Sequence, residues 1–215
     1  MAEDTPSRAT TGRPRSQVRR LAVLGATLDE LADNGIRSMT IESIADRAGV
    51  SKVTVYRWWT DKIALTLDAL NQLPELTVPD TGALESDLRS LRVALIKLID
   101  TTRLGDVLPA LIAERRRSEH HDAISDYIDQ RSTPFRIIVQ RAIGRGELPE
   151  HLGVDLVAHL FSSPLSGSIL LRDAPLDDQQ WVAIIRVLVA GLHASPNHAS
   201  PDHITEEHRH DYPRR

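Results

Sequence analysis

Cysteine is absent from the 215 residues. That excludes disulfides and thiolate metal sites, and it leaves a reducing, cytoplasmic setting unopposed. No uninterrupted apolar run approaches the ~20 residues that span a bilayer, so no membrane partner is expected. Arginines near the N-terminus have no apolar segment behind them, so no signal peptide is expected either. Walker-type loops, GxSxG and HExxH are all missing, and no acidic pair falls on a predicted cleft. An enzyme is therefore not expected, nor a cofactor, nor a metal site. Convincing β alternation and internal repeats are also lacking. What remains is helical periodicity, and the expected fold class is all-α.

The stretch 40–62, TIESIADRAGVSKVTVYRWWTDK, organises the rest. Ile41, Ile44, Ala45 and Ala48 recur at three- and four-residue spacing and predict a short helix with one apolar face. Thr40 stands where a hydroxyl caps that helix, and Gly49 supplies the positive φ of a sharp turn. Ser51 caps a second helix, with Val50 and Val55 inward and Lys52, Val53, Thr54, Tyr56 and Arg57 left largely outside. Two cations, a hydroxyl and a phenol on one exposed face suit phosphates and base edges. Trp59 returns to the core, and Asp61 caps a third helix over 61–73. The pattern reads as a DNA-binding helix-turn-helix. The alternative is a helical hairpin serving only as core.

A net charge of −4 hides a local asymmetry. Residues 1–62 hold ten Lys/Arg and eight Asp/Glu, a balance of +2, and residues 63–215 hold sixteen and twenty-two, a balance of −6. Within 5–28 there are five arginines and no acid. A cationic head on an acidic body fits a duplex-DNA partner.

The residues 40–65, with Ile-Ala-x-x-Ala-Gly-Val-Ser at 44–51 and Tyr56 through Lys62 after it, resemble the signature of the TetR family of transcriptional regulators. Val53 and Trp59 depart from it, standing where that family often has a small residue and Phe. The resemblance implies that Thr40, Lys52, Thr54, Tyr56 and Lys62 contact the sugar-phosphate backbone. Ser51, Val53 and Arg57 are the candidates for base edges, and Trp58 either stacks on sugar or covers the head's core. The resemblance also implies a small-molecule effector that alters the spacing of two heads, with the helix 61–73 as the transmitting element.

In chain order, residues 1–15 form a flexible basic arm in which Arg13 and Arg15 reach the minor groove, or else an ordinary solvated tail. A helix over 16–34 is expected to bury Val18, Leu21, Ala22, Leu24, Leu28 and Leu31. The DNA-binding domain spans 16–73 and a Pro/Gly-bearing linker spans 74–83. A ligand-binding and dimerisation body follows over 84–195, read as five helices: 84–101, 106–117, 120–143 bent at Pro134, 154–171 and 177–193. Arg115, Arg116 and Arg117 suit the end of the second of these. The expected pocket is walled by Leu95, Ile99, Leu111, Phe135, Ile138 and Phe161, with Arg103 or His159 orienting a mostly apolar effector.

The last two helices are apolar over more than one face. They are expected to pair with their copies in a homodimer through Val157, Leu160, Leu165, Ile169, Trp181, Ile185, Leu188 and Leu192. After Ser195 the chain reads as a disordered tail over 196–215. Its histidines recur every five residues, at His193, His198, His203 and His208, a spacing that does not line one helical face.

Overall fold

The structure is a computed structural model that describes residues 13–102, 104–115, 119–172 and 176–195. The outer part of the arm (1–12), Arg103, Arg116, Arg117 and the tail 196–215 lie outside the described residues, as do the side chains of Arg13 and Arg15. Among the described residues there are ten helices and no strand.

The head comprises α1 (Arg13–Ser38), α2 (Ile41–Ala48), α3 (Lys52–Tyr56) and α4 (Lys62–Leu70). Because α1 begins at Arg13, Arg13 and Arg15 belong to its first turn rather than to an extended arm. Its chain bends at Gly35 (φ 71°, ψ 163°), a conformation open to glycine. The inward face of α1 is Val23, Leu24, Ala26, Thr27 and Leu31, so the expected phase holds only in part. Val18 is 67% exposed and Leu21 50%, and Ala22 is exposed as well. The first two turns of α1 run past the helices that cover the rest of it. Buried Thr27 donates to the Val23 carbonyl (2.7 Å), which answers its hydroxyl inside its own helix.

The body consists of α5 (Leu84–Thr101), α6 (Leu104–Arg115), α7 (His121–Arg131), α8 (Thr133–Gly144), α9 (Val154–Arg172) and α10 (Asp178–Ala194). The expected single bent helix over 120–143 is two helices that meet at Ser132. Pro134 lies in the first turn of α8, where a missing amide costs nothing, so it starts a helix rather than bending one. Ala83 gives α5 no side-chain cap, yet the Leu84 amide donates to Glu147 Oε2 (2.7 Å) from the turn after α8. In the same knot Arg145 binds Glu147 (2.6 Å) and the fully buried Asp87 (3.2 Å), which also accepts from the Thr81 amide and hydroxyl (2.6 and 2.7 Å). The Arg-Gly-Glu-Leu turn at 145–148 thus ties the linker and α5 to α8.

Two hydrophobic cores result, and their division does not follow the linker. The first joins α1–α4 to Leu98, Leu104, Val107, Leu111, Ile124 and Tyr127. The second gathers the first half of α5 with α8, α9 and α10 around Phe161 and Trp181. Trp181 Nε1 donates to the Leu88 carbonyl (3.2 Å), so the largest side chain of that core also has its polar atom answered.

Candidate nucleic-acid interface

Short-range capping fixes the outward face of the head. Thr40 accepts from the Ser43 amide (3.0 Å) while Ser43 Oγ accepts from the Thr40 amide (3.2 Å), a reciprocal capping box at the start of α2. Gly49 closes α2 in the left-handed region (φ 65°), and its amide returns to Ala45 and Asp46. Ser51 Oγ accepts from the Thr54 amide (3.2 Å) and meets its hydroxyl (2.8 Å), so the Ser51 side chain is committed to the cap of α3. Ser51 is nonetheless exposed at the start of the face that α3 turns outward.

Val55 is fully buried and anchors α3 in the first core. The opposite side of the same helix leaves Val53 71% and Tyr56 50% exposed, with Lys52 and Arg57 beside them. Arg57 makes no ion pair among the described residues, and its guanidinium is open to a phosphate or a guanine edge. Lys52 pairs with Glu42 on α2 and lies 5.8 Å over the Tyr56 ring. The Lys52 hydrogen bond, then its own backbone, hold the Glu42 carboxyl below its usual range, and Glu42 in turn raises Lys52. A phosphate must compete with Glu42 for this ammonium, a partner the sequence reading missed. The i, i+10 separation across a turn gives no periodic signal.

Lys62 has partners inside the head. Its ammonium donates to the carbonyls of Ile36 (2.7 Å), Met39 (3.3 Å) and Arg37 (3.4 Å) and so clamps the α1–α2 corner from within. A phosphate would have to draw the ammonium from these carbonyls. Trp58 is half-buried against the first core and stands edge-on to Trp59 (centroids 5.5 Å apart, 80°).

Asp68 ties α4 to the rest of the head: it accepts from Trp59 Nε1 (2.8 Å) and from Arg20 (2.5 Å), and Arg20 lies over the Trp59 ring. Asp61 caps α4 through the Ile63 and Ala64 amides (2.8 and 2.9 Å). Burial raises its carboxyl, but the Ala64 amide, the Thr60 hydroxyl, His120 and the Ile63 amide together hold it below its ordinary value.

In the body the expected pocket residues divide between the two cores. Ile99 and Leu111 belong to the first core, whereas Leu95, Phe135, Ile138 and Phe161 belong to the second. Leu111, Phe135, Ile138 and Phe161 are packed shut, and His159 is exposed. None of these lines either of two clefts in the structure: one of about 360 Å³ at the end of α4, and one of about 290 Å³ beside α5 and α10. Five of the eight expected dimer contacts are already covered within one protomer. Val157, Leu165, Trp181, Ile185 and Leu192 are buried within the protomer, and Leu160, Ile169 and Leu188 are half-buried against them. The outward residues are instead Leu156, 62% exposed, and Val187, 72% exposed, with Ala183, Ala190 and Gly191 near them in the sequence of α10.

A capped helix-turn-helix with an exposed reading face, carried on a helical body, defines a DNA-binding transcriptional regulator. Residues 23–69 match the family described as bacterial regulatory proteins, tetR family, and residues 78–188 match the tetracyclin repressor-like C-terminal domain. The chain is 31% identical over 174 residues to the DNA-binding transcriptional repressor TetR of Mycobacteroides abscessus, covering 76% of this chain and 88% of that one. It is 28% identical over 188 residues to the HTH-type transcriptional regulator YdeS of Bacillus subtilis, covering 86% and 94%. The crystal structure of a TetR family transcription regulator, 28% identical, superposes with a TM-score of 0.58 over 80% of this chain and 97% of that one. The chain belongs to the TetR family of transcriptional regulators.

Proposed function

We propose that the chain is a homodimeric repressor that holds a pseudo-palindromic operator and releases it when a small molecule binds the body. The observation that carries the DNA half is the two-sided character of α3: Val55 is sealed in the core while Val53, Tyr56 and Arg57 stand in solvent. In this reading Val53 and Arg57 touch base edges, and Thr40, Lys52, Thr54 and Tyr56 hold the backbone. Two copies meet along α9 and α10 through Leu156, Leu160 and Val187. That seam sets the heads about one helical turn, roughly 34 Å, apart on the duplex or somewhat more. The protein acts in the cytoplasm and catalyses no reaction.

Repression, dimerisation and effector release are supported by the family and by the exposed apolar residues of α9 and α10. Selection from a random duplex library tests the reading. The expected product is a two-fold-symmetric sequence bound by two chains. Recovery of no enriched sequence at low salt, or of an asymmetric site bound by one chain, overturns it.

A further inference from the structure

The 360 Å³ cleft lies where the end of α4 and the linker meet the junction of α7 and α8. Its volume is at the lower end of the range for small-molecule sites, about 300–1,000 Å³. Leu73, Leu76, Val78 and Pro134 give it an apolar lining, and Tyr127 and Arg131 supply polar atoms. Arg131 Nε donates to the Tyr127 hydroxyl (2.9 Å), and Nη2 donates to the carbonyl of Leu70, the last residue of α4 (3.0 Å). A guanidinium has five N–H donors, and these two bonds use two of them. The Tyr127 oxygen accepts from Arg131, so its own proton is left to donate. Burial raises this phenol, against the pull of Arg131, and it keeps its proton through the neutral range. Glu75 is the acidic member of the lining, but it is exposed, whereas Arg131 is half-buried. Water screens the first charge more than the second.

We infer that this cleft binds a small amphipathic monocarboxylate, its apolar part against Leu73, Leu76, Val78 and Pro134 and its carboxylate on Arg131 and Tyr127. A carboxylate on the remaining donors partly neutralises the guanidinium, weakens its bond to the Leu70 carbonyl and so loosens the hold of the body on α4. The other end of α4 is held in the head by Lys62 on the Ile36 carbonyl, and Asp68, in the same last turn as Leu70, bonds Trp59 and Arg20. Release at Leu70 therefore reaches the DNA-reading face through a rigid element. The binding site stands on its own geometry; its link to operator release rests on the function proposed above.

The test uses the full chain with labelled Leu and Val methyls, titrated with para-butylbenzoate and with its uncharged counterpart para-butylbenzyl alcohol. The expected result is that the Leu73, Leu76 and Val78 methyls move. The acid should bind about tenfold tighter than the alcohol, because charge-assisted hydrogen bonds exceed neutral ones by that order. Arg131→Gln removes the preference for the acid, and Glu75→Gln tightens the acid alone, by roughly two- to threefold. Thr133→Trp, at an exposed position on the rim, plugs the cleft without touching a core and abolishes the shifts.

Absence of shifts at millimolar acid, shifts confined to methyls of the second core, or equal binding of acid and alcohol would each overturn the site. If the acid binds but leaves operator affinity unchanged, the coupling through Leu70 is wrong. Failure of the unliganded protein to bind any operator is a separate result that sinks the repressor reading while leaving the cleft intact.

Discussion

The two cores differ in what they commit to. The first begins at Val23, crosses the linker and ends at Tyr127, so the head shares its interior with α6 and α7. The second closes over Phe161 and Trp181 and leaves Leu156 and Val187 outside. One core couples the DNA-reading surface to the middle of the body, and the other lies under the apolar residues proposed to meet a second copy. A disturbance in α6 or α7 should therefore reach the head, whereas one in α10 should reach it only through the loss of a partner.

The sharpest way to break that contrast is Trp181→Ala. Deleting a buried Trp side chain costs about 3–5 kcal/mol. Amide exchange should speed up in α5 and α8–α10 while α2 and α3 keep their protection, and sedimentation should show a monomer. Leu111→Ala, at about 2–5 kcal/mol, should instead raise exchange in α1 and α4, helices on the other side of the linker. Equal loss of protection across the whole chain in both variants would merge the two cores into one cooperative unit.

Lys62→Ala separates structure from DNA contact at a single residue. Loss of its bonds to the Ile36 and Met39 carbonyls should lower stability by about 1–3 kcal/mol. The log–log salt slope of operator binding should stay unchanged, and a slope shallower by about one would place Lys62 on a phosphate. The smallest effect is expected for Glu42→Gln, which frees Lys52 and should tighten operator binding roughly two- to fivefold. The Glu42 carboxyl is lowered in the folded state, so its pairing is present above the unfolded value and is lost as pH falls through the lowered folded value. The competition thus persists throughout the neutral range. Anisotropy titrations of wild type should show it lift only in acid, where the Glu42→Gln advantage disappears.

Signals carried by a few neighbouring residues were legible in the sequence. Thr40, Gly49, Ser51 and Asp61 act as caps or turns because each reaches only two to four residues along the chain. The all-helical fold was legible for the same reason. Phase was harder. Val18 and Leu21 continue the apolar periodicity of α1 yet stand exposed, and periodicity cannot say where a neighbouring helix stops. Pro134 reads equally as a bend or as a first-turn residue, and the break at Ser132 decides it. The role of Lys62 depends on carbonyls 23 to 26 residues away, which no local pattern encodes. The same holds for the pocket and the dimer seam. An apolar residue such as Phe161 or Trp181 advertises burial, and only the packed structure says whether its neighbours, a ligand or a second copy cover it.

The central claim is that the outward side of α3 reads duplex DNA. Fluorescence anisotropy of a labelled, selected operator with wild type and Tyr56→Ala tests it most directly. The account predicts about a tenfold or greater loss of affinity across all operator variants, with melting temperature unchanged because the ring is half exposed. Equal affinity of the two proteins would contradict it.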